Sequence, residues 1–197
     1  LQSQLNPSGE SVIYLYGPAG TGKSHLLQAS CHEPGAETIY LPLSDLRQYA
    51  ARDVLQGVEN LDRICIDDIH VVLGDAKWEQ ALFNLYNDAR QRGCRLIVAA
   101  DAAPRALAVN LEDLRSRLSW GIVYQLAQPE DHDKEAILQF RASRRGLSLT
   151  PSVASYIVSR APRAMDQLLH VLETLDKASL AEKRSLSIPF VKEALGW

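Results

Sequence analysis

The sequence predicts an α/β protein in which a three-layer αβα domain with a five-stranded parallel sheet is followed by a small four-helix lid. Short runs rich in Ile, Val, Leu and Tyr alternate with helical patterns as far as Gln128, which is typical of parallel βαβ units. These runs barely alternate between apolar and polar residues, so helices should cover both faces of the sheet. After Pro129 the strand patterns stop and only helical patterns follow.

Each element has its own sequence signal. We expect strands at the apolar runs Val12–Tyr16, Glu37–Leu41, Arg63–Asp67, Arg95–Ala100 and Ile122–Leu126. The helices between them should begin near Gly22, Ser44, Ala76 and Leu111. Because proline is favoured in the first turn of a helix, the lid helices should follow its prolines closely. Their expected starts are Asp131, Pro151, Pro162 and Pro189. The base domain should therefore span residues 1–128 and the lid residues 129–197.

The composition argues against several classes of protein. Hydrophobic residues make up 46% of the 197 positions and charged residues 23%, which is ordinary for a globular protein. No apolar run reaches the length of about 18 residues that a membrane helix needs, and no basic-then-apolar leader opens the chain. We therefore expect a cytoplasmic protein without a membrane partner. Its net charge of −3 argues against strong direct binding to DNA.

The cysteines do not indicate a disulfide framework or a metal site. Cys31, Cys65 and Cys94 are odd in number and have no paired spacing. They are best interpreted as reduced thiols that fill space in the core.

The clearest motif is GPAGTGKS at residues 17–24, a complete GxxxxGK[ST] loop between an apolar strand and a predicted helix. Glycines let successive backbone N–H groups turn toward phosphate oxygens, and the positive end of the helix points at the same anion. We expect Lys23 to reach the β- and γ-phosphates and the Ser24 hydroxyl to bind Mg²⁺. The predicted nucleotide-binding residues are Gly17, Pro18, Ala19, Gly20, Thr21, Gly22, Lys23, Ser24 and His25.

Two predicted strands end in carboxylates. Asp67 and Asp68 follow the run ICI, and such adjacent like charges are costly unless a cation or hydrogen bonds offset them. We assign Asp67 to the Mg²⁺ side and Asp68 to orienting or activating an attacking water. Asp101 follows the run LIVAA and either contacts that water or caps the segment at Pro104; both interpretations stay open.

Arg115 and Arg117 flank the apolar stripe of the helix that should begin at Leu111. Ion pairs with Glu112 at i,i+3 and Asp113 at i,i+4 would explain both arginines without a function, at about 0.2–0.5 kcal/mol each.

Arg163 follows Pro162 at a predicted helix N-terminus, where a cation opposes the helix dipole. A phosphate held between the two domains would explain an arginine at that place.

Taken together, these residues resemble the AAA+ ATPases, and within them the DnaA-related group of bacterial initiators and their Hda-type inactivators. The stretches CIDDIH, SRLSWGIVYQL and SLSIPFVKEAL carry the resemblance, which covers essentially the whole chain. It implies a role for each candidate: Walker A for Lys23 and Ser24, Walker B for Asp67 and Asp68, sensor 1 for Asp101, sensor 2 for Arg163, and an arginine finger acting in trans for Arg117.

The resemblance also implies cofactors and partners. The cofactors would be ADP or ATP with Mg²⁺, and turnover by the chain alone would be weak or absent. Together with the DNA-loaded sliding clamp, the protein would stimulate ATP hydrolysis by the initiator DnaA and so inhibit initiation. LQSQLNPSGE does not convincingly match a clamp-binding peptide, so that peptide is expected upstream of Leu1. Self-association is also compatible with the family.

Two other functions stay open on the sequence. A DNA-remodelling initiator or helicase loader would act directly on DNA, but the acidic net charge and the end of the chain at Trp197, without a DNA-binding domain, argue against it. A small-molecule P-loop kinase would bring several lid arginines to the phosphates. Only Arg163 is suitably placed for that task, whereas solvated positions are expected for Arg141, Arg144 and Arg145.

Overall fold

The computed structural model of the protein describes residues 11–32 and 34–197. The chain divides into two compact units, one ending at Ala127 and the other running from Gln128 to Trp197. The stretch at residues 1–10, which was compared above with a clamp-binding peptide, lies outside the described residues. The roles expected for residues 1–128 and 129–197, a nucleotide-binding base and a lid, stay predictions.

The first unit is built on a five-stranded sheet whose strands all pair in parallel. The strands are β1 (Val12–Tyr16), β2 (Thr38–Pro42), β3 (Arg63–Asp67), β4 (Arg95–Ala100) and β5 (Ile122–Gln125), in the spatial order β2-β3-β4-β1-β5. All five predicted strands are confirmed, with β2 displaced by one residue and β5 one residue shorter. Because all strands run in the same direction, the loop after β1 and the ends of β3 and β4 lie at one edge of the sheet.

Five α-helices accompany the sheet in the described part of this unit. They are α1 (Lys23–Ser30), α2 (Leu43–Leu46), α3 (Ala51–Leu55), α4 (Ala76–Arg92) and α5 (Glu112–Leu118). The predicted starts hold to within one residue, but the sequence did not indicate α3 as a separate helix. Asp75 caps α4 by accepting the N–H groups of Lys77 and Trp78, and Gly93 ends it with a φ of 76°.

Both faces of the sheet are buried, as the absence of alternation predicts. On one face Tyr14, Ile66 and Val98 pack in a cluster with Leu82 and Tyr86 of α4. On the other face the neighbouring positions along the same strands pack with α1, and this cluster contains Ile13, Leu15, Leu27, Cys65, Ile97 and Ala99. The three cysteines are free, and Cys65 and Cys94 are buried.

The second unit consists of four helices around a core of its own. They are α6 (Asp131–Arg144), α7 (Pro151–Arg160), α8 (Met165–Glu182) and α9 (Ile188–Leu195). Leu138, Ile157, Leu168, Leu172 and Phe190 lie at the centre of this core. Within the portion of the chain that the structure describes, none of the helices combines the length and apolar character needed to cross a bilayer.

The start of α8 corrects one prediction. The sequence placed it near Pro162, whereas the helix begins at Met165 because Ala164 keeps an extended backbone with ψ of 135°. Arg163 therefore lies just before the N-cap residue and not in the first helical turn. The predicted start of α8 is thus three residues too early, whereas Arg163 still lies next to the N-terminus of the helix.

Candidate nucleotide-binding site

The loop between β1 and α1 depends on its glycines in two ways. Gly20 and Gly22 have φ of 80° and 87°, in the left-handed region that is unfavourable for other residues. At Gly17 a Cβ atom would lie 2.3 Å from the carbonyl oxygen of Leu126, which follows β5. The first glycine is therefore needed for the close approach to the chain after β5, and the other two for the turn itself.

The loop at residues 17–24 is buried at Gly17 and Lys23 and exposed only at its tip. Lys23 is 8% exposed, and its Nζ donates to the carbonyl oxygens of Gly17 at 2.7 Å and Pro18 at 2.8 Å. The ammonium group thus lies against the loop, within reach of an anion held there. Pro18, Ala19 and Gly20 are exposed, and so is His25 on α1. The Thr21 hydroxyl donates to the Pro18 carbonyl at 2.9 Å.

Helix α1 begins at this loop with its first N–H groups available. Its N-cap residue, Gly22, offers no side chain to accept a hydrogen bond from the first turn. Unpaired N–H groups at a helix N-terminus are suited to phosphate oxygens. The loop, the helix end and Lys23 together present donors and positive charge to one place.

Asp67 is held firmly at the end of β3. It is 2% exposed, its Oδ2 accepts the Tyr40 hydroxyl at 2.7 Å and its Oδ1 accepts the Asp68 N–H at 3.0 Å. Asp68 itself adopts a left-handed conformation with φ of 53°. Such a backbone costs a non-glycine residue about 1–2 kcal/mol, although aspartate tolerates it better than most.

Tyr40 lies beside both Asp67 and Ser24. The Tyr40 hydroxyl is hydrogen-bonded to Asp67 and also interacts with the side chains of Ser24 and Gln28. Burial, and then the hydrogen bond to Asp67, raise the pKa of Tyr40 to about 12, so the hydroxyl stays a donor at neutral pH. Sequence reasoning missed Tyr40, because no local pattern shows that β2 pairs with β3.

The oxygen atoms of Ser24 and Asp67 fit a bound Mg²⁺. This ion prefers oxygen ligands and is usually held by one or two protein groups together with waters and phosphates. Residues 11–32 and 34–197 contain no group of three or more His, Cys, Asp or Glu that could hold a metal ion. Ser24 and Asp67 would be the two protein ligands of a magnesium ion at this place.

Asp101 lies at the same edge of the sheet, directly after β4. Its carboxylate is 58% exposed, and Oδ1 lies 3.8 Å from Nδ1 of His70. The short helical turn at Pro104–Ala106 has Ala103 as its N-cap, without a side-chain hydrogen bond. Asp101 therefore does not cap that turn, and its role near a nucleotide stays a prediction.

The two arginines of α5 have different partners. Arg115 donates to Glu112 at 3.1 Å and also to the carbonyl oxygen of Val109, so its i,i+3 pair is present. Among the described residues no ion pair joins Arg117 to Asp113. Instead, Arg117 is half-buried, and its Cζ lies 3.8 Å from the ring centroid of Trp120 and 5.7 Å from that of Phe83 on α4.

Buried Glu79 of α4 is another residue that the sequence did not indicate. It is 1% exposed and accepts backbone N–H groups from Gly74, Asn110 and Leu111. Leu111 is the N-cap residue of α5. Glu79 thereby ties the start of the helix that carries Arg117 to the first turn of α4.

The arginines of the second unit are mostly exposed. Arg163 is 82% exposed, with Nη2 3.8 Å from Oδ2 of Asp131. Arg144 and Arg145 are exposed, and Arg145 lies 3.8 Å from Asp176, whereas Arg141 is half-buried. The contact of Arg163 with a nucleotide stays a prediction.

Two family models match the sequence. The model for the bacterial DnaA ATPase domain matches residues 3–125, and the model for the Hda lid domain matches residues 131–195. Together they account for nearly the whole chain.

Several solved structures share the fold. Domain III of the replication initiation protein DnaA from Thermotoga maritima is 20% identical with a TM-score of 0.80, covering 99% of this chain and 87% of that one. AMPPCP-bound DnaA from Aquifex aeolicus is 23% identical with a TM-score of 0.71, covering 91% and 59%. A replication initiator DnaA bound to AMPPCP and single-stranded DNA is 21% identical with a TM-score of 0.74, covering 92% and 62%. This chain thus spans about three fifths of the two longer DnaA chains.

Proposed function

Because the chain belongs to the bacterial DnaA ATPase-domain family of AAA+ proteins, we propose that it binds an adenine nucleotide and regulates replication initiation by acting on DnaA. The Hda-type lid at residues 131–195 supports a regulator of the DnaA-related group. In this proposal the protein works in the cytoplasm together with the DNA-loaded sliding clamp. It stimulates ATP hydrolysis by DnaA, which leaves DnaA in its inactive ADP form.

The nucleotide is ADP or ATP, held by the loop at residues 17–24. Lys23 and the N-terminus of α1 would bind its phosphates, and Ser24 and Asp67 would hold a Mg²⁺ ion. This ion would supply positive charge against the phosphate oxygens. Asp68 and Asp101 complete the site within the first unit, and hydrolysis by this chain alone is slow.

The contacts of Arg117 are the observation that supports the proposed action on DnaA. Its guanidinium packs on the ring of Trp120 and has no carboxylate partner in the described part of the chain, whereas Arg115 on the same helix is paired. A guanidinium without a counter-ion is available for the phosphates of a partner. Arginine fingers supplied in trans accelerate nucleotide hydrolysis by about 10³–10⁵ because they stabilise charge in the transition state.

The test is ATP turnover by DnaA in the presence of clamp and DNA, with wild-type protein or with Arg117→Ala. We expect Arg117→Ala to lose nearly all stimulation while retaining its fold and its own nucleotide. Arg105→Ala, which removes an exposed arginine elsewhere in the first unit, is the control and should stimulate like wild type. Full stimulation by Arg117→Ala would end the finger hypothesis.

A second function has one observation in its favour, namely the similarity to an initiator bound to single-stranded DNA. In that case the protein would remodel DNA directly. Such binding would weaken steeply with added salt, because counter-ions are released from the DNA phosphates. Titration of the protein with a labelled single strand at two salt concentrations distinguishes the two functions, and we expect only weak binding at physiological salt.

A further inference from the structure

Two arginine side chains lie over the ring of one exposed tryptophan, where α4 and α5 pack together. The guanidinium carbon of Arg117 is 3.8 Å from the ring centroid of Trp120, and that of Arg90 is 4.6 Å from the same centroid. Trp120 is 36% exposed, and Arg90 is exposed. We call Arg90, Trp120 and Arg117 the arginine–tryptophan cluster.

The cluster carries two positive charges without a counter-ion. Within residues 11–32 and 34–197, neither Arg90 nor Arg117 has a carboxylate within ion-pair distance, in contrast to Arg184, which pairs with Glu182 and Glu193. An exposed aromatic ring attracts a cation only weakly, so it does not offset the repulsion between two guanidiniums. Two cations packed on one ring are therefore suited to a compact anion that carries several charges.

The fold holds Trp120 in place from both sides. Its backbone N–H donates to the carbonyl oxygen of Arg117 at 3.0 Å, in the turn that ends α5. Gly121 follows with φ of 77°, and a Cβ atom there would lie 2.1 Å from the carbonyl oxygen of Val12. The chain next to Trp120 thus packs tightly against β1 and has little room to shift. A guanidinium stacked on this ring is restricted in orientation before any partner binds.

We propose that Arg90 and Trp120 form, with Arg117, one anion-binding surface that receives the triphosphate of ATP held by a second ATPase domain. Arg90 supplies a second cation for the phosphates, and Trp120 is the positioning residue for both guanidiniums. This inference rests on the proposed function, because it takes Arg117 as the group that reaches the partner's nucleotide. A triphosphate fits better than DNA, because the two charges are concentrated on one ring and the chain has a net charge of −3.

The first experiment measures the affinity of the full chain for ATP-loaded and ADP-loaded DnaA on clamp-bearing DNA. Arg90→Ala should weaken binding to the ATP form about fivefold or more and leave binding to the ADP form nearly unchanged. The matched control is Arg92→Ala, two residues further along α4, where the exposed arginine donates to Asn60. This control should bind both forms of DnaA like wild type. Equal losses for Arg90→Ala and Arg92→Ala would overturn the proposal for Arg90.

The second experiment follows Trp120 through the stimulated turnover of DnaA. Trp120→Leu removes the aromatic face and should lower the maximal stimulated rate about tenfold, whereas Trp120→Phe should restore most of it. Failure of Trp120→Phe to exceed Trp120→Leu, with both variants folded by circular dichroism, would contradict the positioning role. If Trp120→Leu does not fold, the maximal stimulated rate with Trp120→Phe is compared with that of wild type. A loss of rate greater than threefold counts against the proposal.

Failure of this inference differs from failure of the proposed function. If Arg117→Ala stimulates like wild type, the finger itself is wrong. If Arg117→Ala is inactive while Arg90→Ala and Trp120→Leu behave like wild type, Arg117 remains the arginine finger. In that case the proposal that Arg90 and Trp120 share its anion-binding surface is wrong. If Arg90→Ala weakens binding to a labelled single-stranded oligonucleotide and not to ATP-loaded DnaA, the surface binds nucleic acid and the proposal is overturned.

Discussion

Asp67 shows how a single residue of the candidate site is oriented by its neighbours. Each carboxylate oxygen has one described donor, the Tyr40 hydroxyl on one side and the Asp68 N–H on the other. Since an oxygen accepts more than one hydrogen bond or metal contact, each retains capacity for a cation. The Tyr40 hydroxyl therefore orients the carboxylate and still leaves its oxygens able to bind a cation.

Removal of that hydroxyl should weaken the magnesium-dependent part of nucleotide binding. For Tyr40→Phe we expect ADP affinity in saturating Mg²⁺ to fall about three- to tenfold, because a hydrogen bond to a charged group contributes about 1 kcal/mol or more. Affinity without Mg²⁺ should change little. Calorimetric titration with ADP at several Mg²⁺ concentrations measures both.

Tyr16→Phe is the matched control for this prediction. It removes a hydroxyl that donates to Gln125 at 3.2 Å near the surface, at the end of β1. We expect its Mg²⁺ dependence to equal that of wild type. An unchanged Mg²⁺ dependence in Tyr40→Phe would mean that Asp67 needs no such support.

Helix α5 illustrates how one element is held by contacts far away in sequence. At its start, Asn110 and Leu111 donate backbone N–H groups to Glu79 of α4. At its end, Trp120 packs under Arg90 of the same α4. The helix has only seven residues, so its own hydrogen bonds would not keep it folded, and α4 provides the support that it lacks.

Glu79 should make the stability of the protein depend on pH in the acidic range. Burial alone would raise the pKa of Glu79, but the N–H groups of Asn110, Gly74 and Leu111, with Arg115 nearby, outweigh it and hold the pKa below its usual value. The charged form is thus favoured by folding. Its contribution is present above the unfolded pKa of about 4.3 and is lost as pH falls through the lower folded pKa.

Glu79→Gln tests this prediction. At pH 7 we expect the free energy of unfolding to fall by about 1–3 kcal/mol, because a neutral amide replaces a carboxylate that accepts three backbone donors. Below pH 4 the gap between variant and wild type should narrow. Urea unfolding between pH 3 and 7 measures this difference in the free energy of unfolding. The control is Glu112→Gln, which changes an exposed carboxylate on α5. A gap that stays constant with pH would speak against a charged Glu79.

On the scale of the whole molecule, the two units have separate cores. The core of the first unit surrounds the sheet, and that of the second lies among α6, α7, α8 and α9. Each unit therefore has its own source of stability, and unfolding need not be a single transition. The proposed nucleotide should add to the stability of the first unit, since Lys23 and Asp67 both belong to that unit.

Added ADP and Mg²⁺ should accordingly stabilise the intact chain. At a free ADP concentration about one hundred times the dissociation constant, the stabilisation should reach about 2.7 kcal/mol. Lys23→Ala should abolish the effect, because the loop loses the cation that faces the phosphates. Thermal unfolding followed by circular dichroism, with and without ADP, measures both proteins. A wild-type chain that gains no stability from ADP or ATP would contradict nucleotide binding.

The sequence by itself determined the features that depend on neighbouring residues. The five strands, the glycine loop with Lys23 and Ser24, and the carboxylates that end β3 and β4 follow from local composition and spacing. The helical second unit was predicted in the same way, although the start of α8 was wrong because local preference does not decide the conformation of Ala164. The roles of the site residues stay predictions.

Only the tertiary structure decided which distant residues meet. Tyr40 reaches Asp67 because β2 pairs with β3, and strand order leaves no mark on local sequence. Arg90 and Arg117 share Trp120 because α4 and α5 pack together, although the two arginines are 27 positions apart in the chain. Such contacts depend on how the elements pack across the sheet, and periodicity within one segment carries no information about its neighbour in space.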